Sequence, residues 1–232
     1  MIKEILRSQV PDKNSAGNNI ELAQYYADRA SEYDAIYSKP ERKGDIKKLS
    51  GLLTGKLRSK HVLEIACGTG YWTQFYGPHT DSTTATDYNE EVLSIARNRL
   101  EIYDNIRVER SDAHSLENMC GDFDAGIAAF WWSHLQKSKI ARFLETFHSK
   151  LSRGSRVVIA DNIYVEGSST PISRTDDVGN SYQLRSLKDG RTYEVLKNFP
   201  TEAEFRSQIT PYGKNIQFRK FTYFWCGWYT LI

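Results

Sequence analysis

The chain has 232 residues, 40% of them hydrophobic, and its 15 glycines bring the apolar share to about 46%, inside the about 45–50% of globular domains. A mainly disordered or collagen-like chain is excluded, and the length carries one large domain with a substantial core. With 31 basic and 29 acidic residues the net charge is +2, so neither the basic footprint of a nucleic-acid binder nor a polybasic membrane anchor is present.

Residues 1–19 are polar, with Pro11, Asn14, Ser15, Gly17, Asn18 and Asn19, and read as a flexible arm. Lys3, Glu4 and Arg7 interrupt the apolar run that a signal peptide needs. Residues 20–57 read as a helical lid: Leu22, Tyr25, Tyr26 and Ala30, then Ile46, Leu49, Leu52 and Leu53, recur near helical spacing on either side of Pro40.

From His61 the pattern changes to short apolar strands alternating with helices, which implies crossover units and a parallel sheet. Strands are expected at His61–Ala66, Thr83–Asp87, Ile106–Arg110, Asp124–Phe130 and Arg156–Ala160, with helices at Glu90–Leu100 and Ile140–Leu151. The Asp124–Phe130 run is continuously apolar after its first residue, as in a strand buried on both faces. A substrate-capping insertion is expected over about 164–198. Its hairpin joins Tyr182–Leu187 to Thr192–Leu196 through Asp189-Gly190, a strong turn signal. Thr201-x-x-Glu204 is a capping box opening a short helix, and the aromatic tail Ile216–Ile232 reads as strand. The core domain is therefore 58–232.

The longest uncharged stretches, Ala125–Gln136 and Thr222–Ile232, fall short of the about 20 residues that span a bilayer. Cys67, Cys120 and Cys226 are far apart and form no Cys-x-x-Cys pair, so no zinc framework and no disulfide scaffold is expected. A cytoplasmic protein with no metal fits this usage.

The chemistry concentrates at Glu64-Ile65-Ala66-Cys67-Gly68-Thr69-Gly70, a strand running through Gly-x-Gly towards a helix. Glycines there let the backbone turn sharply and approach a ligand, at the strand end where α/β sheets bind. A dinucleotide fingerprint needs a third Gly or Ala, and position 73 is threonine. Glu64 would repel a pyrophosphate but favour the ammonium of a methionine moiety. Asp87, ending the next strand, suits two ribose hydroxyls, and Asp112, ending the third, suits an adenine amino group.

These residues, with Thr86-Asp87, Ser111-Asp112-Ala113 and Phe123-Asp124-Ala125, resemble the successive motifs of class I S-adenosylmethionine-dependent methyltransferases over roughly Tyr25 to Asp161. The resemblance implies an α/β, Rossmann-like, seven-stranded, mostly parallel sheet with helices on both faces, the tail supplying its last two strands. The implied cofactor is S-adenosyl-L-methionine, with S-adenosyl-L-homocysteine as product and no metal. Ala66 stands where many members have glycine. Cofactor contacts are expected from Glu64, Ala66, Gly68, Gly70, Asp87, Tyr88, Asp112, Ala113 and Phe130. The stretch Tyr25-Tyr26-Ala27-Asp28, Tyr33-Asp34, Tyr37 and Arg42 is similar to the lid of small-molecule N- and O-methyltransferases. That similarity implies Tyr26 and Tyr33 near the methyl group and Arg42 at the methionine carboxylate.

Phe130-Trp131-Trp132-Ser133-His134 follows the fourth strand at its carboxyl end. His134 is the candidate base or substrate hydrogen-bonding group, against a purely structural role. Trp131 and Trp132 are candidates for an aromatic substrate pocket, against core packing, and Arg185 and Tyr193 of the hairpin for binding a polar substrate. The expected activity is methyl transfer to a nitrogen or oxygen of a small, aromatic or heterocyclic molecule by a monomer or homodimer, with no nucleic-acid or membrane partner. The competing readings are an NAD-dependent Rossmann oxidoreductase and a non-catalytic cofactor-binding module.

Overall fold

The computed structural model describes Tyr25 and residues 28–232. The arm over 1–19 lies outside the described residues. Behind a 3₁₀-helix, Ala30–Ser38, helix α1 (Lys43–Leu57) lays Ile46, Leu49, Leu53 and Leu57 on the sheet. Their spacing of three and four residues places them on one face.

Seven strands form the central sheet: β1 (His61–Ile65), β2 (Ser82–Asp87), β3 (Ile106–Arg110), β4 (Phe123–Ala129), β5 (Leu151–Asn162), β9 (Gly213–Lys220) and β10 (Phe224–Leu231). Their order is β3-β2-β1-β4-β5-β10-β9. The first five are mutually parallel, and β10 runs antiparallel to both β5 and β9. Central β1 pairs through Leu63 with Thr84 on one side and Gly126 on the other. Alternate residues of β5 face opposite cores: Val157 and Ile159 join one, Val158 and Ala160 the other. The five parallel strands end on one edge of the sheet, and Glu64, Ala66, Gly68, Gly70, Asp87, Tyr88, Asp112, Ala113 and Phe130 lie at or just beyond those ends.

The connecting helices follow the sequence pattern, with two differences. The helix after β1, α2 (Thr73–Tyr76), is one turn long, because Gly77-Pro78 redirects the chain into a 3₁₀ turn. Helix α3 (Glu90–Leu100) buries Val92, Leu93, Ala96 and Leu100. Helix α4 (Ile140–His148) stops before Leu151, which instead opens β5 by pairing with Phe123 of β4. Helix α5 (Glu202–Ile209) starts at a complete capping box between Thr201 and Glu204.

A second, three-stranded antiparallel sheet of β6 (Arg174–Thr175), β7 (Ser181–Ser186) and β8 (Thr192–Leu196) rises from the insertion. Its β7–β8 hairpin turns at Asp189-Gly190, where glycine takes φ 89°. Among the described residues no helix is long and apolar enough to cross a membrane.

Candidate active site

The β1 strand ends in a turn whose backbone is left-handed at Ala66 (φ 54°), Gly68 (φ 56°) and Gly70 (φ 71°). Left-handed backbone favours residues without Cβ. At Gly70 close packing adds a second reason: a Cβ there would lie 2.9 Å from Leu100 Cδ1 of α3. The turn is tied to the tip of β2. The Cys67 amide donates to the Thr86 carbonyl at 2.8 Å, and the Gly68 amide to Asp87 Oδ2 at 2.9 Å. Asp87 Oδ1 accepts from the Asn89 amide at 3.0 Å. Burial nonetheless raises the Asp87 carboxyl above its ordinary pKa.

Glu64 lies beneath the turn, 1% exposed, and its Oε2 accepts from Thr73 Oγ1 at 2.6 Å. Burial pushes its pKa up to about 7. At the tip of β3, Asp112 is exposed and accepts from the His114 amide at 2.8 Å, while Ala113 is buried. Tyr88, beyond β2, is exposed, with the Arg110 guanidinium over its ring. Beyond β4, Phe130 is held at φ 63°, a conformation that costs a non-glycine residue about 1–3 kcal/mol. Its amide donates to the Ala160 carbonyl at 2.7 Å, and its ring stacks on Trp72 with centroids 5.1 Å apart.

The 3₁₀-helix Ala30–Ser38 touches this turn directly. Thr69 Oγ1 donates to Asp34 Oδ1 at 2.7 Å, and Arg99 of α3 bridges Asp34 Oδ2 at 2.5 Å and the Thr69 carbonyl at 2.9 Å. Tyr37 stacks on Tyr71 at 4.0 Å and accepts from Trp72 Nε1 at 3.0 Å.

Beside the end of β5 is a cavity of about 390 Å³, between the 3₁₀-helix, the insertion and the β7–β8 hairpin. Arg29, Lys39, Arg42, Arg185 and Lys197 all line it. Lys197 is 4% exposed. Its ammonium donates to Ser133 Oγ at 2.5 Å and Asp161 Oδ1 at 3.1 Å. Asp161 Oδ2 in turn accepts from the Ser133 amide at 2.8 Å. Burial lowers the Lys197 pKa to about 8, against the opposing pull of Asp161.

A methyltransferase-domain family model matches residues 62–154. Among solved structures, a DhpI–SAH complex aligns with a TM-score of 0.75 and 26% identity, covering 93% of this chain and 98% of that one. A DhpI–SAM–HEP complex aligns with a TM-score of 0.74 and 26% identity over 92% of this chain and 97% of that one. These matches support a class I S-adenosylmethionine-dependent methyltransferase. A methyltransferase of this cofactor class from Clostridium acetobutylicum ATCC 824 shares the fold, with a TM-score of 0.64 and 20% identity over 87% of this chain and 98% of that one. No curated protein matches the sequence.

The fold brings Glu64, Ala66, Gly68, Gly70, Asp87 and Phe130 together along one strand-end edge, with Tyr88, Asp112 and Ala113 at the flanking tips. Asp87 is fixed by two backbone amides at a strand tip, and Asp112 faces solvent at the next. Arg42 lies in the cavity wall, over the rings of Tyr223 and Phe224, and Arg185 lines the same cavity. Tyr193 lies outside that lining and donates to Asp28 Oδ2 at 2.6 Å. Trp131 packs against His114, and Trp132 is a core residue between Phe205 and Trp225. His134 is buried, and its Nδ1 meets the Leu196 carbonyl at 2.9 Å. A carbonyl only accepts, so Nδ1 carries the proton. Burial, with Lys197 and Arg185 nearby, holds the His134 pKa well below its ordinary value. Tyr26 lies outside the described residues, as does the side chain of Tyr33. Among the described residues no group of three or more His, Cys, Asp or Glu is placed to hold a metal ion.

Sequence reasoning missed Lys197, Asp161, Arg29 and Ser168. One signal was available: Asp161 follows a β-branched run, as Glu64 and Asp87 end theirs. Lys197 carries no such local mark, because its partners lie 36 and 64 positions away.

Proposed function

We propose that this methyltransferase moves the methyl group of S-adenosyl-L-methionine to a nitrogen or oxygen of a small molecule held in the cavity beside β5. The observation that carries the reading is the position of that cavity: it opens at the carboxyl end of β5, on the strand-end edge that holds the glycine turn, and is walled by the segment that touches the turn.

In this reading the carboxylate of Glu64 stands beside the methionine ammonium, Asp87 accepts from the ribose hydroxyls and Asp112 from the adenine amino group. The backbone of Ala66, Gly68 and Gly70 admits the methionine moiety closely, and Tyr88, Ala113 and Phe130 flank the nucleoside. The cofactor supplies an electrophilic methyl group on a sulfonium. The chain orients the acceptor for in-line attack, and such positioning is worth up to about 7–11 kcal/mol. Lys197, with a pKa near 8, is better matched than His134 to hold or release a proton near neutral pH.

Calorimetric titration tests the cofactor assignment. S-adenosylhomocysteine is expected to bind at micromolar concentration and NAD not to bind. Transfer of labelled methyl from S-adenosylmethionine to members of a small-molecule panel then tests turnover. Cofactor binding without transfer to any nitrogen or oxygen nucleophile in the panel would favour the non-catalytic module.

A further inference from the structure

Three buried groups meet where β4 and β5 end. Asp161 is the last residue but one of β5, Ser133 lies in the 3₁₀ turn Trp132–His134 just beyond β4, and Lys197 directly follows β8. Asp161 is fully buried and fully engaged. Its Oδ1 accepts from Lys197 Nζ at 3.1 Å, from the Asn162 amide at 2.7 Å and from Asn162 Nδ2 at 3.2 Å. Its Oδ2 accepts from the Ser133 amide at 2.8 Å. A carboxylate so occupied anchors the ammonium and is not available to take a proton from a methyl acceptor.

An ammonium carries three N–H donors. Lys197 gives one to Ser133 Oγ at 2.5 Å and one to Asp161 Oδ1, and among the described residues the third has no acceptor. Lys197 lines the cavity beside β5, and neither Asp nor Glu is among the lining residues. The guanidinium of Arg29, another lining residue, acts on its charge. The spare donor therefore belongs to a group that faces the cavity.

Lone pairs decide between nitrogen and oxygen. An amine nitrogen has one, and a pair that accepts from an N–H donor cannot also attack a methyl carbon. An oxygen has at least two, so it accepts with one and attacks with another. Charge points the same way. Methylation of a neutral amine builds positive charge beside the ammonium with no lining carboxylate to offset it. A nearby cation instead favours ionisation of a hydroxyl.

We propose that Lys197 is the donor that holds the attacking atom, and that this atom is the oxygen of an acidic hydroxyl and not a nitrogen. The proposal rests on the methyltransferase reading above and narrows it. The hydroxyl gives its proton to solvent as it binds, leaving an anion paired to Lys197. A lone pair of that oxygen forms the bond to the methyl carbon, and the electron pair of the breaking carbon–sulfur bond stays on sulfur. Lys197 keeps its proton throughout.

The test follows labelled methyl from S-adenosylmethionine, in the full-length protein, to hydroxyl and amine acceptors of matched size: phenol against aniline, catechol against ortho-phenylenediamine, benzoate against benzylamine. O-methyl products are expected. Lys197→Met/Asp161→Asn removes the ammonium and its buried counter-charge together. It should lower kcat for the hydroxyl acceptor at least about 100-fold, with the melting temperature near wild type and S-adenosylhomocysteine affinity within twofold. Turnover that recovers along with the melting temperature makes Lys197 structural and overturns the proposal. Ser133→Ala keeps the charge pair and removes one partner of the ammonium, and it carries the test should the double variant fail to fold. Its kcat should fall about tenfold at an unchanged melting temperature, and an unchanged kcat overturns the role of Lys197. N-methyl products in place of O-methyl products overturn the choice of oxygen and leave the methyltransferase reading standing. A protein that binds no S-adenosylhomocysteine, or that methylates no member of the panel, removes that reading and the proposal with it.

Discussion

Asp87 and Gly68 are 19 positions apart in sequence and joined by a 2.9 Å hydrogen bond from the Gly68 amide to Oδ2. The carboxylate proposed for the ribose therefore also fixes the turn proposed for the methionine moiety. Asp87→Ala removes the acceptor for two backbone amides, those of Gly68 and Asn89. Bonds to charged groups are worth about 1.5–3 kcal/mol, so S-adenosylhomocysteine affinity should fall roughly 10- to 100-fold in calorimetry. Affinity within twofold of wild type, in a folded variant, contradicts the assignment.

Glu64 makes the apoprotein's stability fall as pH rises. Its carboxyl titrates near 4.5 when free and at about 7 in the fold. Between those values the folded state holds a proton the unfolded state has lost, so stability declines from about pH 4.5 to about 7 and then levels off. At about 1.4 kcal/mol per pKa unit, this group alone accounts for about 3 kcal/mol. Urea melts at pH 5 and 7.5 should show a smaller loss for Glu64→Gln than for wild type. Equal losses would mean that Glu64 is ionised throughout.

Lys197 behaves in the opposite sense. Its pKa falls from 10.5 to about 8, so the unfolded chain binds the extra proton between those values and stability rises with pH across that window. Lys197→Met leaves the fully buried Asp161 carboxylate without its cation. Breaking such a pair costs about 3–5 kcal/mol. The double variant Lys197→Met/Asp161→Asn should regain much of that loss in thermal melts, and no recovery would mean that the pair is not the source.

His134 donates from Nδ1 to the Leu196 carbonyl and stays neutral through the physiological range. The pH–rate profile of the wild type should therefore show no inflection near 6.5 from this residue. His134→Ala should lower the melting temperature by loosening the link from the segment after β4 to β8. A drop in turnover of about 100-fold with an unchanged melting temperature would instead mark His134 as a proton acceptor.

The parallel strands were legible because their signals are local: HVLEI, DAGIAAF and RVVIA are short apolar runs, and Thr201-x-x-Glu204 spells its own cap. Glu64, Asp87 and Asp112 could be singled out because each lies at or just past the end of an expected strand. Trp131 and Trp132 show the limit. Adjacent in sequence, they leave the chain in different directions, one to His114 and one into the core. The cationic cavity was not legible, because its wall is drawn from residues 29 to 199, and only folding brings Arg42 to Ser168 or Lys197 to Asp161.

The 3₁₀-helix Ala30–Ser38 grips the glycine turn through Asp34 and lines the cavity through Ala35 and Ile36. One short segment thus has a foot in each compartment. A ligand that shifted it at the turn would change the fit of a molecule in the cavity, and thermodynamic reciprocity would make the converse effect on affinity equal in size. The tie between the two compartments runs through the two hydrogen bonds that Asp34 makes to Thr69 and Arg99.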